Sequence, residues 1–184
     1  MKDVIGTPSS ALDHALRIGL ISDTHGLLRS EALAFLQGCD HIVHGGDIGE
    51  ADILRQLAKI APLTVVRGNN DRAEWAGGIA QGEFLRIGGM VLYALHDIAE
   101  LDIDPGAAGV DVVVTGHSHK PAIETRDSVL YVNPGSAGPR RFKLPISVGD
   151  LTIDGGGDGD GGGGGGGGKP RIIPRVVTLD SPTR

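Results

Sequence analysis

Three short apolar runs constrain this chain most. RIGLIS (17–22), DHIVHGGD (40–47) and LTVVRG (63–68) are separated by two segments of helical spacing. SEALAFLQG (30–38) carries its apolar residues on one helical face, with Ser30 expected as the N-cap and Gly38 as the stop. EADILRQLAKIA (50–61) is amphipathic and is expected to end at Pro62. A β-α-β-α-β order with strands this short and this uniformly apolar calls for a parallel sheet buried on both faces.

The pattern then changes. EFLRIGGMVLYALHD (83–97) reads as two strands joined at Gly88-Gly89, a hairpin signal, and residues 98–109 leave room for a short helix broken by Pro105. VDVVVTGHSHKP (110–121) holds the most apolar strand, and SVLYVNPGS (128–136), ISVGDLTID (146–154) and RIIPRVVTLD (171–180) complete a strand-rich half. Two β-rich halves with helices outside predict two sheets packed face to face, an α/β sandwich. Residues 1–16 read as a loose N-terminal extension, 17–184 as one domain, and the polyglycine of 155–169 as a flexible loop with no side chains to bury. The aspartates in that loop lack the spacing and terminal Glu of a calcium loop.

Composition removes several function classes. A formal charge of −6 and 3% aromatic residues offer neither a basic field nor stacking platforms for stable nucleic-acid binding. Cys39 is the single cysteine, which excludes an intrachain disulfide framework and a Cys-rich zinc site. MKDVIGTPSS has no apolar h-region and no run reaches the length of a membrane span, so a cytoplasmic protein without membrane partners is expected.

The polar residues fall at the ends of the strands. Asp23 and His25 follow the first, Asp47 the second, Asn69 and Asp71 the third; His96 ends the hairpin, and His117 and His119 follow the most apolar strand. Sites in α/β sheets collect beyond the carboxyl ends of strands, where loops converge. Taken singly, each is an ordinary turn; VVRGNND (65–71) alone reads as a tight turn, since Gly, Asn and Asp tolerate positive φ. Five such ends together argue for one centre. His, Asp and a neutral Asn make a mixed N/O shell suited to manganese, iron, zinc or nickel. Asp23, His25, Asp47, Asn69, His96, His117 and His119 are seven donors, too many for one ion, whereas two ions sharing a carboxylate would use them all. Metal pairs roughly 3.5–4 Å apart clamp the attacking and leaving oxygens of phosphoryl transfer. The D-x-H and H-x-H spacings are expected to aim both side chains one way, as i and i+2 do on an extended chain.

DTHG, GGD, GNND, LH and GHSHKP, in this order and followed by NPGS, resemble the motifs of the calcineurin-like metallophosphoesterases, over about residues 17 to 153. The short form is similar to the small bacterial and archaeal phosphodiesterase branch. That resemblance implies a four-layer α/β/β/α sandwich of two mixed sheets and two divalent ions, with manganese first and nickel, iron or zinc as alternatives. It implies Asp23, His25 and His119 around the first ion, Asn69, His96 and His117 around the second, Asp47 between them, and a metal-bound hydroxide as nucleophile. The candidate catalytic set is Asp47, Asn69, Asn70 and His96, and the expected partner is a small or nucleotide-like phosphodiester.

Departures from the family sharpen the reading. Relatives such as the phosphoprotein phosphatases carry a His directly after the ligand Asn, where it protonates the leaving oxygen; Asn70 stands there and cannot act as a general acid. Asp97 stands where relatives commonly have Gly, either as a solvated residue or as an acceptor that orients an imidazole. Arg67, Arg140 and Arg141 are candidates to meet a phosphate oxygen. Asn133 to Ser136 are expected to shape a turn near the metals, His44 to pack behind the ligands, and Trp75 and Phe84 to fill core; His14 is assigned nothing. The alternatives are a phosphomonoesterase, or a non-catalytic scaffold such as the retromer subunit that resembles this family. Exposed strand edges make a homodimer or higher homo-oligomer the expected assembly, if one forms.

Overall fold

The structure, a computed structural model, describes residues 15–141, 143–154 and 169–179. The expected N-terminal extension and Gly-rich loop lie outside the described residues but for their last few positions. Ten strands form two five-stranded mixed sheets. In the first, β1 (Leu16–Ile21), β2 (His41–His44) and β3 (Leu63–Val65) run parallel, joined by α1 (Ser30–Leu36) and α2 (Ala51–Leu57). β9 (Ser147–Asp154) pairs antiparallel with β1, and β10 (Arg171–Thr178) antiparallel with β9. The second sheet has the order β4 (Gly82–Ile87), β5 (Met90–Leu95), β6 (Val112–Val114), β8 (Val129–Asn133), β7 (Ala122–Arg126).

The period-2 alternation of the strands assigns the layers. Ile18 and Leu20 of β1 meet Leu92, Val112 and Val114 of the second sheet in the central core. Ile21 and Ile42 turn the other way, onto Ala32 and Leu36 of α1 and Ile53 and Leu57 of α2. Gly19 lies under α1, where a Cβ would collide with Leu36. The outer face of the second sheet is covered thinly: Val110, Val113, Val129 and Leu95 cluster with Leu101 and Tyr131. The α/β sandwich is as expected, but its fourth layer is a single 3-10 turn (Ile98–Glu100) and a loop. That turn stops where Leu101 becomes extended (φ −67°, ψ 107°), and Asp104 opens a separate turn by accepting Ala107 N–H on Oδ1 and Ala108 N–H on its carbonyl, so no longer helix forms.

Several local boundaries differ from expectation. Ser30 is the first helical residue rather than the cap; Arg29 is extended at φ −77° and ψ 145°, and Ser30 Oγ donates to Glu31. The second helix closes early because Lys59 N–H and Ile60 N–H bond three residues back, to Gln56 and Leu57, tightening the last turn. Strand β7 was not expected; all five of its residues are exposed, so its sequence shows no burial pattern. The turn at Gly88-Gly89 is as predicted, both at positive φ (57° and 79°). Across β1, β9 and β10, the buried Asp150 carboxylate takes Arg17 Nε at 2.7 Å and Arg175 Nη2 at 2.6 Å. Burial raises the Asp150 carboxyl, but those two guanidiniums outweigh it and hold it below its ordinary value. Among the described residues no helix is long and apolar enough to cross a membrane.

Candidate metal centre

The loops after β1, β2, β3, β5 and β6 converge at one edge of the sandwich. Five of their residues have left-handed backbone: Asp23 (φ 54°), His25 (45°), Asp47 (54°), His117 (63°) and His119 (57°). Such conformations are unfavourable for non-glycine residues and persist only where the surroundings enforce them. The i and i+2 pairs therefore share a direction through coiled loops, which corrects the extended-chain expectation. Glycines make the close approach possible: a Cβ on Gly68 would strike Asp47, and one on Gly116 would strike Ser22.

The side chains form a continuous run of donors. His119 Nε2 lies 3.2 Å from Asp23 Oδ1 and 3.2 Å from His25 Nε2. Asp47 Oδ2 stands between His25 Nε2 at 3.8 Å and His96 Nε2 at 3.5 Å. Asn69 Oδ1 faces His96 Nε2 at 3.2 Å and His117 Nδ1 at 3.1 Å. Asp23, Asp47, His96 and His119 are buried, whereas Asn69, Asn70 and His117 are exposed, so the centre opens on that side.

Surrounding groups fix how these atoms point. His96 Nδ1 donates to Gly45 O at 2.7 Å, which turns Nε2 toward Asp47 and Asn69. His117 Nε2 lies 3.5 Å from Asp97 Oδ2, an ion-pair distance, while Asp97 Oδ1 accepts Ala99 N–H at 3.0 Å and caps the turn that follows. Asp23 Oδ2 accepts Ser22 Oγ–H at 2.7 Å and His117 N–H at 3.1 Å. Asn70 gives Asp47 both its backbone N–H (2.8 Å) and its amide (2.6 Å). Burial would raise the Asp47 carboxyl, but the hydrogen bonds from His96 and Asn70 outweigh it and hold the group well below the usual carboxylate range. Burial lowers His96, and its bonds to Asp47 and Gly45 more than reverse this. His25 is lowered by burial, with Asp47 opposing and the nearby Arg141 assisting.

Asp71 is the strand-end residue to which sequence reasoning gave no role. Its buried carboxylate accepts N–H groups from Ile48 (2.9 Å), Gly49 (3.0 Å) and Gly68 (2.9 Å), tying the Asp47 loop to the Asn69 loop. Its place four residues after Arg67 in a GNND turn was the available signal. His44 packs as expected: Thr24 Oγ1 lies 3.0 Å from its Nε2 while Gly46 N–H donates to its Nδ1, and burial pushes it down to about 4. Asn133 donates to Gly116 O at 2.6 Å and Ser136 Oγ to Asp23 O at 3.0 Å, so the NPGS turn braces two of the donor loops. His41 bonds Thr64 at the other end of its strand, Trp75 packs against the core between the first sheet and its helices, and Phe84 against Tyr93. Arg140 donates to Leu144 O, and His14 lies outside the described residues.

The donor set fits divalent cations. Asp23 Oδ1 and His119 Nδ1 are buried without a hydrogen-bond partner, and the about 1–3 kcal/mol that such an oxygen costs would be offset by a cation beside it. Asp23, His25 and His119, and likewise Asp23, Asp47 and His96, each bring ligand atoms within 4.8 Å of one another. Carboxylate oxygen with imidazole nitrogen suits first-row divalent metals.

The calcineurin-like phosphoesterase superfamily domain matches residues 16–156. The chain belongs to this superfamily. A probable metallophosphoesterase of Methanothermobacter thermautotrophicus is 34% identical over 150 residues, covering 75% of this chain and 86% of that one. A phosphodiesterase of Methanocaldococcus jannaschii is 26% identical over 140 residues, 65% of this chain and 83% of its own. Among solved structures, vacuolar protein sorting 29 of Cryptosporidium parvum superposes with a TM-score of 0.65 at 19% identity, covering 90% of this chain and all of that one, which shows a shared fold. Membership in the superfamily makes this chain a phosphoesterase whose chemistry uses divalent metal ions.

Proposed function

We propose that this phosphoesterase is a phosphodiesterase acting on a small or nucleotide-like diester at a dinuclear centre. The observation that carries the reading is Asp47, whose Oδ2 stands between imidazoles belonging to the two donor groups, at 3.8 Å and 3.5 Å. Asp23, His25 and His119 would hold one cation, Asn69, His96 and His117 the other, and Asp47 both. Two such cations, manganese foremost, supply charge for the phosphoryl oxygens and lower the pKa of a bound water.

The chain's own residues determine which ester suits the site. Asn70 occupies the position beside Asn69 from which a leaving oxygen would be protonated, and its amide is spent on Asp47 Oδ2 at 2.6 Å. An amide has no proton to give at neutral pH, so leaving groups that need none, such as phenolates, are favoured. Arg141, whose charge helps lower His25, would be a partner for a phosphate oxygen. The relative named a phosphodiesterase supports the diester; the phosphomonoesterase reading is disfavoured by Asn70. A protein-binding scaffold shares the fold, yet scaffolding does not require seven converging donors.

The test is a panel assay on metal-free protein reloaded with manganese, using an aryl diester, the matching aryl monoester and an alkyl monoester. The diester is expected to react fastest and the alkyl monoester slowest. A faster alkyl monoester would overturn the reading.

A further inference from the structure

A groove of about 240 Å³ runs across the outer face of the second sheet, beginning where the donor loops end. We propose that it receives the ester group that stays on phosphorus, and that this group is an aromatic or nucleobase ring. The inference rests on the phosphodiesterase reading above.

The lining suits a planar ring. Tyr131 and Ala122 lie on one sheet face and line the groove together with Ile98, Ser118 and Lys120. At the far end the Arg126 guanidinium lies over the Tyr131 ring, 4.9 Å from its centroid, held there by Glu124 Oε2 at 2.6 Å from Nη2. Ile98 is 40% exposed, an apolar side chain facing water beside a polar centre. An aromatic ring would cover it and stack against the guanidinium.

The groove adjoins the donor set through chain neighbours of the donors. Ile98 follows Asp97, the carboxylate that faces His117. Ser118 lies between His117 and His119, and Asn133 donates both to Gly116 O and to Ser118 Oγ. A phosphoryl group between the donors thus has the groove within reach of one substituent. Topology says which one. β3, whose following loop carries Asn69 and Asn70, packs beside β4, while β7 packs beside β10 at the opposite end of the sandwich. Asn70 marks the flank from which the leaving oxygen departs, so the groove lies on the side of the group that is retained. Lys120 adds positive charge to its rim in a chain of net charge −6, which favours entry of an anionic ester.

Two diesters with one leaving group test this: phenyl p-nitrophenyl phosphate and methyl p-nitrophenyl phosphate, compared by kcat/KM on the manganese-loaded full chain. Wild type is expected to prefer the phenyl diester by roughly tenfold or more, the effect of filling an apolar pocket. Ala122→Trp, at an exposed edge-strand position that tolerates a large residue, fills the groove and should bring the ratio near one through KM. Ile98→Asn, at a lining position on a different element, should reduce it too, and covers the case of a misfolded first variant. A wild-type ratio near one, or a phenyl preference that survives both substitutions, overturns the groove assignment while the phosphodiesterase reading stands. Cleavage of neither diester overturns both.

Discussion

Replacing Asp71 by Ala removes one carboxylate and strands three backbone donors. Its oxygens accept Ile48 N–H, Gly49 N–H and Gly68 N–H at 2.9, 3.0 and 2.9 Å, all inside the loops that carry Asp47 and Asn69. A hydrogen bond to a charged group contributes about 1.5–3 kcal/mol, and water that enters the vacated space recovers part of it, so a net loss of roughly 4 kcal/mol is expected. In a chain of 184 residues, where each kcal/mol moves the midpoint by about 2–4 °C, that is a fall of roughly 8–16 °C. Thermal unfolding followed by circular dichroism in chelator reads this without a contribution from metal binding. Asp71→Asn keeps the shape and one acceptor oxygen but sets an amide NH₂ against Gly68 N–H, and should lose about half as much. An Asp71→Ala midpoint within about 2 °C of wild type would refute the reasoning.

Other outcomes follow from the same contacts. His44 is held neutral in the fold, so below pH 6.5 the unfolded chain takes up a proton that the folded chain refuses until about pH 4; stability is full above 6.5 and falls as pH drops through that window, by on the order of 3 kcal/mol. His44→Gln should flatten that limb in urea titrations, and an unchanged slope would count against it. Asn70→His should raise turnover of alkyl-leaving diesters about tenfold or more relative to aryl ones; no relative gain would mean that Asn70 only fills space. Asp150→Asn should cost roughly 2 kcal/mol in urea unfolding with the slope unchanged, a moderate loss because the Arg17 and Arg175 side chains are 26% and 57% exposed.

The sequence showed which residues converge because their positions are topological. Each donor follows an apolar run, and parallel strands with short connections bring such ends to one edge. What it could not show is how the loops coil. The spacing of Asp23 and His25 looked like that of an extended chain, yet both residues are left-handed. Asp71 looked like a turn residue because its role is to bond backbone amides far away in sequence, 23 residues for Ile48. Strand β7 has no inward face to leave a pattern, and the α1 cap falls on Arg29, a residue type without capping preference, because the chain enters the helix extended.

The central claim is that Asp47 serves two cations at once. Metal content per chain, measured after removal of metal and reloading with manganese, tests it most directly in wild type and Asp47→Ala. Two ions are expected in wild type and one or fewer in the variant, with loss of diester hydrolysis. Fewer than one ion in wild type, together with full activity in Asp47→Ala, would contradict a dinuclear centre.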